Sequence, residues 1–311
     1  MANPAATSRS ARLWADYRKH RYLLLLLVPG LIWYAVFVYS PMYGVQIAFK
    51  DYHALEGING SPWAGLKHFR YLLHASPDIR QVFRNTVVIS FYHIVFGFPA
   101  PIALALLFNE VRSRVFKRVT QSISYLPHFL SWVVLGGLLI TILSPSTGIV
   151  NTLLVALGLE PVYFMASEAY FRSVLVVSAV WKEIGWGTVI YLAAIAGVDP
   201  HLYEAAVVDG AGRWRQVFHI TLPTIVPVIA IMFLLRLGNL LDAGFDQILN
   251  TYNPAVFRVS DIIDTYVYRV GLSQMEYSLT TAVNLFKNVI ALALVLLANV
   301  AIKKSGEEGL I

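Results

Sequence analysis

The chain has no cysteine among its 311 residues. Disulfides, thiol redox chemistry and cysteine-ligated metal centres are therefore excluded. Charge is the second scarcity: Asp, Glu, Lys and Arg make up 14%, against about 25% in an ordinary soluble domain. A soluble globular enzyme does not fit that deficit. Chemical signatures are missing as well. No Gly-Lys dipeptide occurs, so there is no P-loop to cradle nucleotide phosphates. The eight histidines show no HExxH spacing, and no GxSxG elbow is present. Nothing resembles a nucleic-acid module. Any work driven by ATP must enter this chain through a partner.

What the chain does have is apolar length, with 57% hydrophobic residues. Leu23–Phe49, Asn85–Asn109, Val119–Leu159 and Gln216–Leu235 contain no charged side chain at all. Each run exceeds or matches the roughly 20 helical residues that cross a bilayer core of about 30 Å. The pattern predicts an all-α integral membrane protein with about six transmembrane helices, at 23–43, 86–108, 126–143, 174–197, 225–241 and 282–302. These make one membrane domain over 23–302, between a basic tail at 1–22 and a short tail at 303–311. The first run is long, and Ser40-Pro41-Met42-Tyr43 lacks a small-residue cleavage pattern, so it reads as a span and not a cleaved signal. Pro29, Pro99, Pro101 and Pro227 fall in or near spans, where neighbouring helices and water can satisfy the freed carbonyls.

Lys and Arg in the loops set the orientation. Thirteen lie on one side: Arg9, Arg12, Arg18, Lys19 and Arg21 in the tail, Arg112, Arg114, Lys117 and Arg118 after span two, Arg213 and Arg215 after span four, then Lys303 and Lys304. Eight lie on the other: Lys50, Lys67, Arg70, Arg80, Arg84, Arg172, Arg258 and Arg269. The bias predicts both termini in the cytoplasm.

One cytoplasmic loop, about 199–223, is unlike the others. Asp199 is placed to cap a helix and Pro200 fits its first position. Gly210 and Gly212 come after a run of helix formers and can turn the chain. A second helical stretch, about 213–221, leads into span five. The result is a helical hairpin with an apolar ridge of Leu202, Tyr203, Ala205 and Ala206, pinned by Glu204 and Asp209. On physical grounds alone it is either a docking element or an interfacial connector within a membrane-embedded enzyme or scaffold.

The spacing carries more. Glu204-Ala205-Ala206, Gly210 four residues on, then Ile220-x-Leu222-Pro223 after nine intervening residues resembles the EAA loop of binding-protein-dependent ABC importer permeases. Asp209, Ala211 and Pro227 suit the sugar-importer version. The stretches Pro41–Asp51, Ser124–Phe129 and Asp261–Arg269 are similar to the polysaccharide-importer branch, whose members include importers of alginate and other acidic oligosaccharides. The resemblance implies a type I importer permease in a bacterial inner membrane. It implies a second homologous permease, an ABC ATPase dimer and an extracytoplasmic solute-binding protein. The chain would be no enzyme and hold no cofactor; ATP and Mg would be used by the ATPase subunits. Glu204, Ala205, Ala206, Asp209, Gly210, Ile220, Leu222 and Pro223 would form the ATPase-coupling element, with Glu204 meeting a basic residue of the motor and Gly210 allowing close backbone approach.

Ionisable residues inside spans are costly and tend to face protein or a water-filled cavity. Here they are Lys182, Glu183, Arg236 and Lys287, all in the outer half under the orientation above. One reading is structural: snorkelling, or pairing of Lys182 or Arg236 with Glu183 or Asp242. The other places Arg236, Lys287 and Lys182 along a substrate path for a carboxylated sugar. Asn239, Asn284 and Asn288 would then bond hydroxyls, and Trp181, Trp186 and Tyr191 would stack on sugar faces. A neutral sugar or another small polar solute is the alternative cargo. The loops at 44–85, 144–173 and 242–281 are candidates for binding-protein contact.

Overall fold

Residues 19–74 and 77–304 are described by a computed structural model. Most of the basic tail (through residue 18) and residues 305–311 lie outside the described residues. In chain order the helices used below are α1 (Arg21–Phe49), α2 (Asp78–Glu110), α3 (Arg114–Tyr125), α4 (Trp132–Ile142), α5 (Ile149–Ala156), α6 (Glu168–Ala196), α7 (Pro200–Val208), α8 (Arg213–Gly238), α9 (Phe245–Leu249), α10 (Ile263–Tyr266) and α11 (Tyr277–Lys304). Among the described residues there is no strand, and a single antiparallel bridge joins Lys50 to Trp63.

Five helices, α1, α2, α6, α8 and α11, are long and apolar enough to cross a bilayer. They overrun the expected spans at most ends because the helix continues through flanking charges such as Arg80 and Arg84. The stretch expected as a span at 126–143 differs from expectation. In place of one run at 126–143, a helix starting at Arg114 runs through a 3-10 turn at Leu126–Phe129, breaks, and resumes at Trp132 with a bend of 103°. Leu130 and Ser131 are extended at the break, and the Ser131 hydroxyl accepts from Val134 N to cap α4. A charge-free run conceals such a break because nothing in its composition changes there. Arg114, Lys117 and Arg118, expected in a loop, instead begin a helix.

Three further departures from α geometry precede a proline. Single π-helical turns occupy Ala35–Tyr39, His93–Gly97 and Val217–Thr221. Each ends two residues before a proline: Pro41, Pro99 and Pro223. Proline cannot bond the carbonyl four residues back and its ring collides with it. Widening the preceding turn moves that carbonyl aside without ending the helix. The stretch 213–221 therefore runs on into span five as one helix.

α6 occupies the centre. It shares one core with α2, α9 and the short helical turns of 254–260 with Ile262 after them, through Ile89, Phe171, Leu175, Ile248, Val256 and Ile262. It shares another with α2 and α8 through Ala105, Tyr191, Ile195 and Ile225. Small residues allow these crossings. A Cβ on Gly185 would lie 2.0 Å from the Ser124 carbonyl oxygen, and one on Gly187 would lie 2.8 Å from the Pro101 ring. By contrast, the apolar window of α1 contains no buried residue. Only its last turns, Tyr43–Phe49, pack on α11.

Gly185→Ala is expected to destabilise the fold by about 1–3 kcal/mol, since a backbone carbonyl must move. Gly137→Ala, where nothing lies within 4 Å, is expected to be close to neutral. Thermal unfolding of the two variants in detergent checks this, and equal midpoints would refute the tight crossing.

Candidate functional site

Two regions gather most of the residues that the sequence singles out. The first is the hairpin 199–223. The Asp199 carboxylate accepts from His201 N at 2.9 Å and Pro200 begins α7. Gly210 adopts φ +68°. Around it Ala211 N bonds Ala206 O at 2.8 Å and Gly210 N bonds Val207 O at 3.0 Å, the paired closure of a Schellman motif. A Cβ on Gly210 would meet nothing within 4 Å. Within this chain the glycine is needed for its left-handed backbone, and close approach is not what requires it.

The hairpin is rooted by Tyr203 and Ile220. Tyr203 turns inward, its hydroxyl 2.9 Å from that of Thr221, and both Tyr203 and Ile220 pack on the Tyr191–Ile225 core. Tyr203 therefore leaves the expected ridge. Gln216 donates to Ala211 O at 2.9 Å, and Arg213 reaches Glu110 at the end of α2. What remains outward is Glu204, 74% exposed and 3.2 Å from His201 Nδ1, with Leu202, Ala205, Val207, Val208, Asp209, Trp214 and Phe218. Leu222 is half-buried and Pro223 exposed, just past the π turn.

The second region surrounds the broken span. Lys182, 9% exposed, donates to His128 O at 2.6 Å and Leu130 O at 3.0 Å. These are carbonyls that the break leaves without helical partners. Its ammonium also lies 3.7 Å from Glu183 and 5.8 Å from the centre of the Trp132 ring. Glu183 bonds His128 Nδ1 at 2.9 Å. The His128 ring stacks on Trp186 at 4.7 Å and 4°, and Phe129 meets Trp186 edge-on. Trp186 remains 46% exposed.

The three intramembrane cations thus separate. Lys182 closes backbone. Lys287 bridges two carboxylates, Asp242 at 2.5 Å and Asp264 at 2.7 Å. Burial pushes the Asp264 carboxyl up from its ordinary value, and the bond to Lys287 opposes that. Arg236 is half-buried and makes no hydrogen bond among the described residues; Glu183 and Asp242 are the acids that bear on it.

The other candidates scatter. Tyr191 is 3% exposed and belongs to the core, so it offers no stacking face. Trp181 lines a separate apolar cavity of about 410 Å³ beside α4 and α5. Asn239 donates back to Leu235 O at 3.3 Å. Asn284 is half-buried and Asn288 exposed on α11. Sequence reading missed His128 and Asp264 as members. The Ser124–Phe129 and Asp261–Arg269 stretches contained them, but the role of His128 depends on a break that no residue type announces.

Removing the Lys182 ammonium leaves two enclosed carbonyls unbonded, which costs about 1–3 kcal/mol. Lys182→Met is therefore expected to lower the unfolding midpoint and shift Trp186 emission. An unchanged midpoint and spectrum would show that the break holds without this lysine.

Comparison with known proteins places these two regions in context. Residues 97–303 match the family described as "Binding-protein-dependent transport system inner membrane component". The Bacillus subtilis "Polygalacturonan/rhamnogalacturonan transport system permease protein YteP" is 45% identical over 96% of this chain and 93% of its own. "Protein LplB" from the same organism is 42% identical over 99% and 96%. A solved bacterial ABC transporter "involved in the import of the acidic polysaccharide alginate" superposes with a TM-score of 0.88 at 43% identity, covering 94% of this chain and 99% of that one. The same kind of transporter, in complex with its alginate pentasaccharide-bound periplasmic protein, gives 0.89 at 42% identity, covering 96% and 100%. The chain belongs to the binding-protein-dependent inner-membrane permeases: it is a non-catalytic, membrane-spanning subunit of an ABC importer that works with a solute-binding protein.

Proposed function

We propose that this permease forms, with a second homologous permease, the alternating-access path for an acidic oligosaccharide. The observation that carries the cargo assignment is Arg236. A half-buried guanidinium without a hydrogen bond among the described residues, with Glu183 and Asp242 as the acids that bear on it, can engage an incoming carboxylate bidentately. Trp186, backed by His128, supplies an exposed ring for a pyranose face. Similar permeases named for polygalacturonan/rhamnogalacturonan transport and for alginate import support the same class. Lys182 and Lys287 hold the walls of the path and leave the cargo charge to Arg236.

The second permease is supported by α1, whose apolar window buries nothing against the described residues and is free to lie against a partner as well as against lipid. The hairpin supports an ATPase dimer on the cytoplasmic face. Glu204 and the apolar row of Leu202, Val207 and Val208 project from a helix locked at both ends. ATP and Mg act on those ATPase subunits. Closure of the motor pulls the hairpin, and Arg213–Glu110 and Tyr203–Thr221 pass the displacement to α2 and α8. Both termini lie in the cytoplasm. The larger share of Lys and Arg in the two tails and in the loops on the side of the hairpin supports that orientation.

Two outcomes are expected. In proteoliposomes holding the whole importer, Arg236→Met lowers uronate-oligomer uptake about tenfold or more, the scale of a lost charge-assisted bond, with ATPase association unchanged. Undiminished uptake would refute the cargo contact. Glu204→Arg is expected to abolish co-purification of the ATPase subunit without changing the unfolding midpoint of the permease; retained association would refute the coupling role.

A further inference from the structure

Beyond Trp132 the character of the path changes. A cavity of about 670 Å³ opens between α4, α9, α10 and the start of α11, within the size range of small-ligand sites. Its wall is aromatic, with Trp132, Phe245, Tyr268 and Tyr277. Phe245 and Tyr268 hold each other at 5.8 Å. The polar groups on the same wall include the carboxylates of Asp242, Asp246 and Asp264. No cation lines it; the nearby Lys287 is already bonded to Asp242 and Asp264. Asp246 is exposed and enters no ion pair among the described residues. The cavity adjoins the broken-span cluster, since Trp132 forms its wall and also lies under the Lys182 ammonium.

This wall is ill suited to a carboxylated sugar. A uronate placed there would meet like charge in a partly enclosed site. A neutral pyranose fits both features: its ring face stacks on an aromatic side chain, and its hydroxyls donate to a free carboxylate. We propose that this cavity is a second saccharide subsite that takes an uncharged pyranose unit, with Asp246 as the hydroxyl acceptor. The inference rests on the acidic-oligosaccharide reading and refines it. The cargo class becomes an oligosaccharide in which an uncharged unit neighbours a uronate, the uronate facing Arg236 and the uncharged unit facing Asp246.

The test uses the complete importer in proteoliposomes, with the binding protein saturated by each of two probes. One is a uronate homo-oligomer. The other has the same length, with every second carboxylate chemically reduced to the alcohol. Asp246→Asn should lower uptake of the half-reduced oligomer about fivefold, the margin by which a hydrogen bond to a charged acceptor exceeds one to the neutral amide oxygen that replaces it. Uptake of the homo-oligomer should hold or rise, because a repelling charge is gone. Asp246→Glu should restore the wild-type order. Equal losses for both probes, or no change in either, overturn the subsite while leaving the acidic-cargo reading in place. Wild-type import of neither probe overturns that reading, and the subsite falls with it.

Discussion

A bilayer supplies no hydrogen bonds to an open backbone, and that constraint organises this permease. The 103° break between α3 and α4 frees carbonyls within an apolar stretch, and the Lys182 ammonium closes two of them. The break in turn sets His128 and Phe129 against Trp186 and turns Trp132 toward the adjoining cavity. Without the lysine the break would expose unbonded oxygens. Without the break there would be no platform there. A charge that looks like a cargo contact is thus first a solution to a backbone problem.

Proline raises the same difficulty elsewhere and receives a different answer. At Pro41, Pro99 and Pro223 the preceding turn widens to π geometry and the helix continues. At Pro127 the chain leaves α geometry for a 3-10 turn and then stops. The difference lies in the residues on the C-terminal side of the proline. Leu130 and Ser131 turn extended there, and Ser131 caps a new helix.

The hairpin was readable almost completely. Asp199, Pro200, Gly210 and the Ile220-x-Leu222-Pro223 run act through local backbone rules, so spacing alone locates the helix start, the turn and the return. Tyr203 departed from the ridge because its partner Thr221 lies 18 residues on, across a fold that local pattern does not encode. Span number was readable from charge-free runs, but span three was drawn as a straight rod. Lys182, Arg236 and Lys287 looked alike in sequence. What separates them is their hydrogen-bond acceptors among the described residues, two carbonyls, none, and two carboxylates, and those acceptors lie up to 54 residues away. Tyr191 shared a helix with Trp186 yet faces the core, where Trp186 stays exposed.

The uncovered helix α1 has a thermodynamic consequence. A segment that buries nothing in its own chain draws its tertiary stabilisation from whatever comes to lie on it. Mass action then applies to folding: the ordered state of this subunit deepens with the concentration of its cover. With the proposed second permease as that cover, fold and stoichiometry become one equilibrium, in which a chain made in excess of that permease is the less stable one.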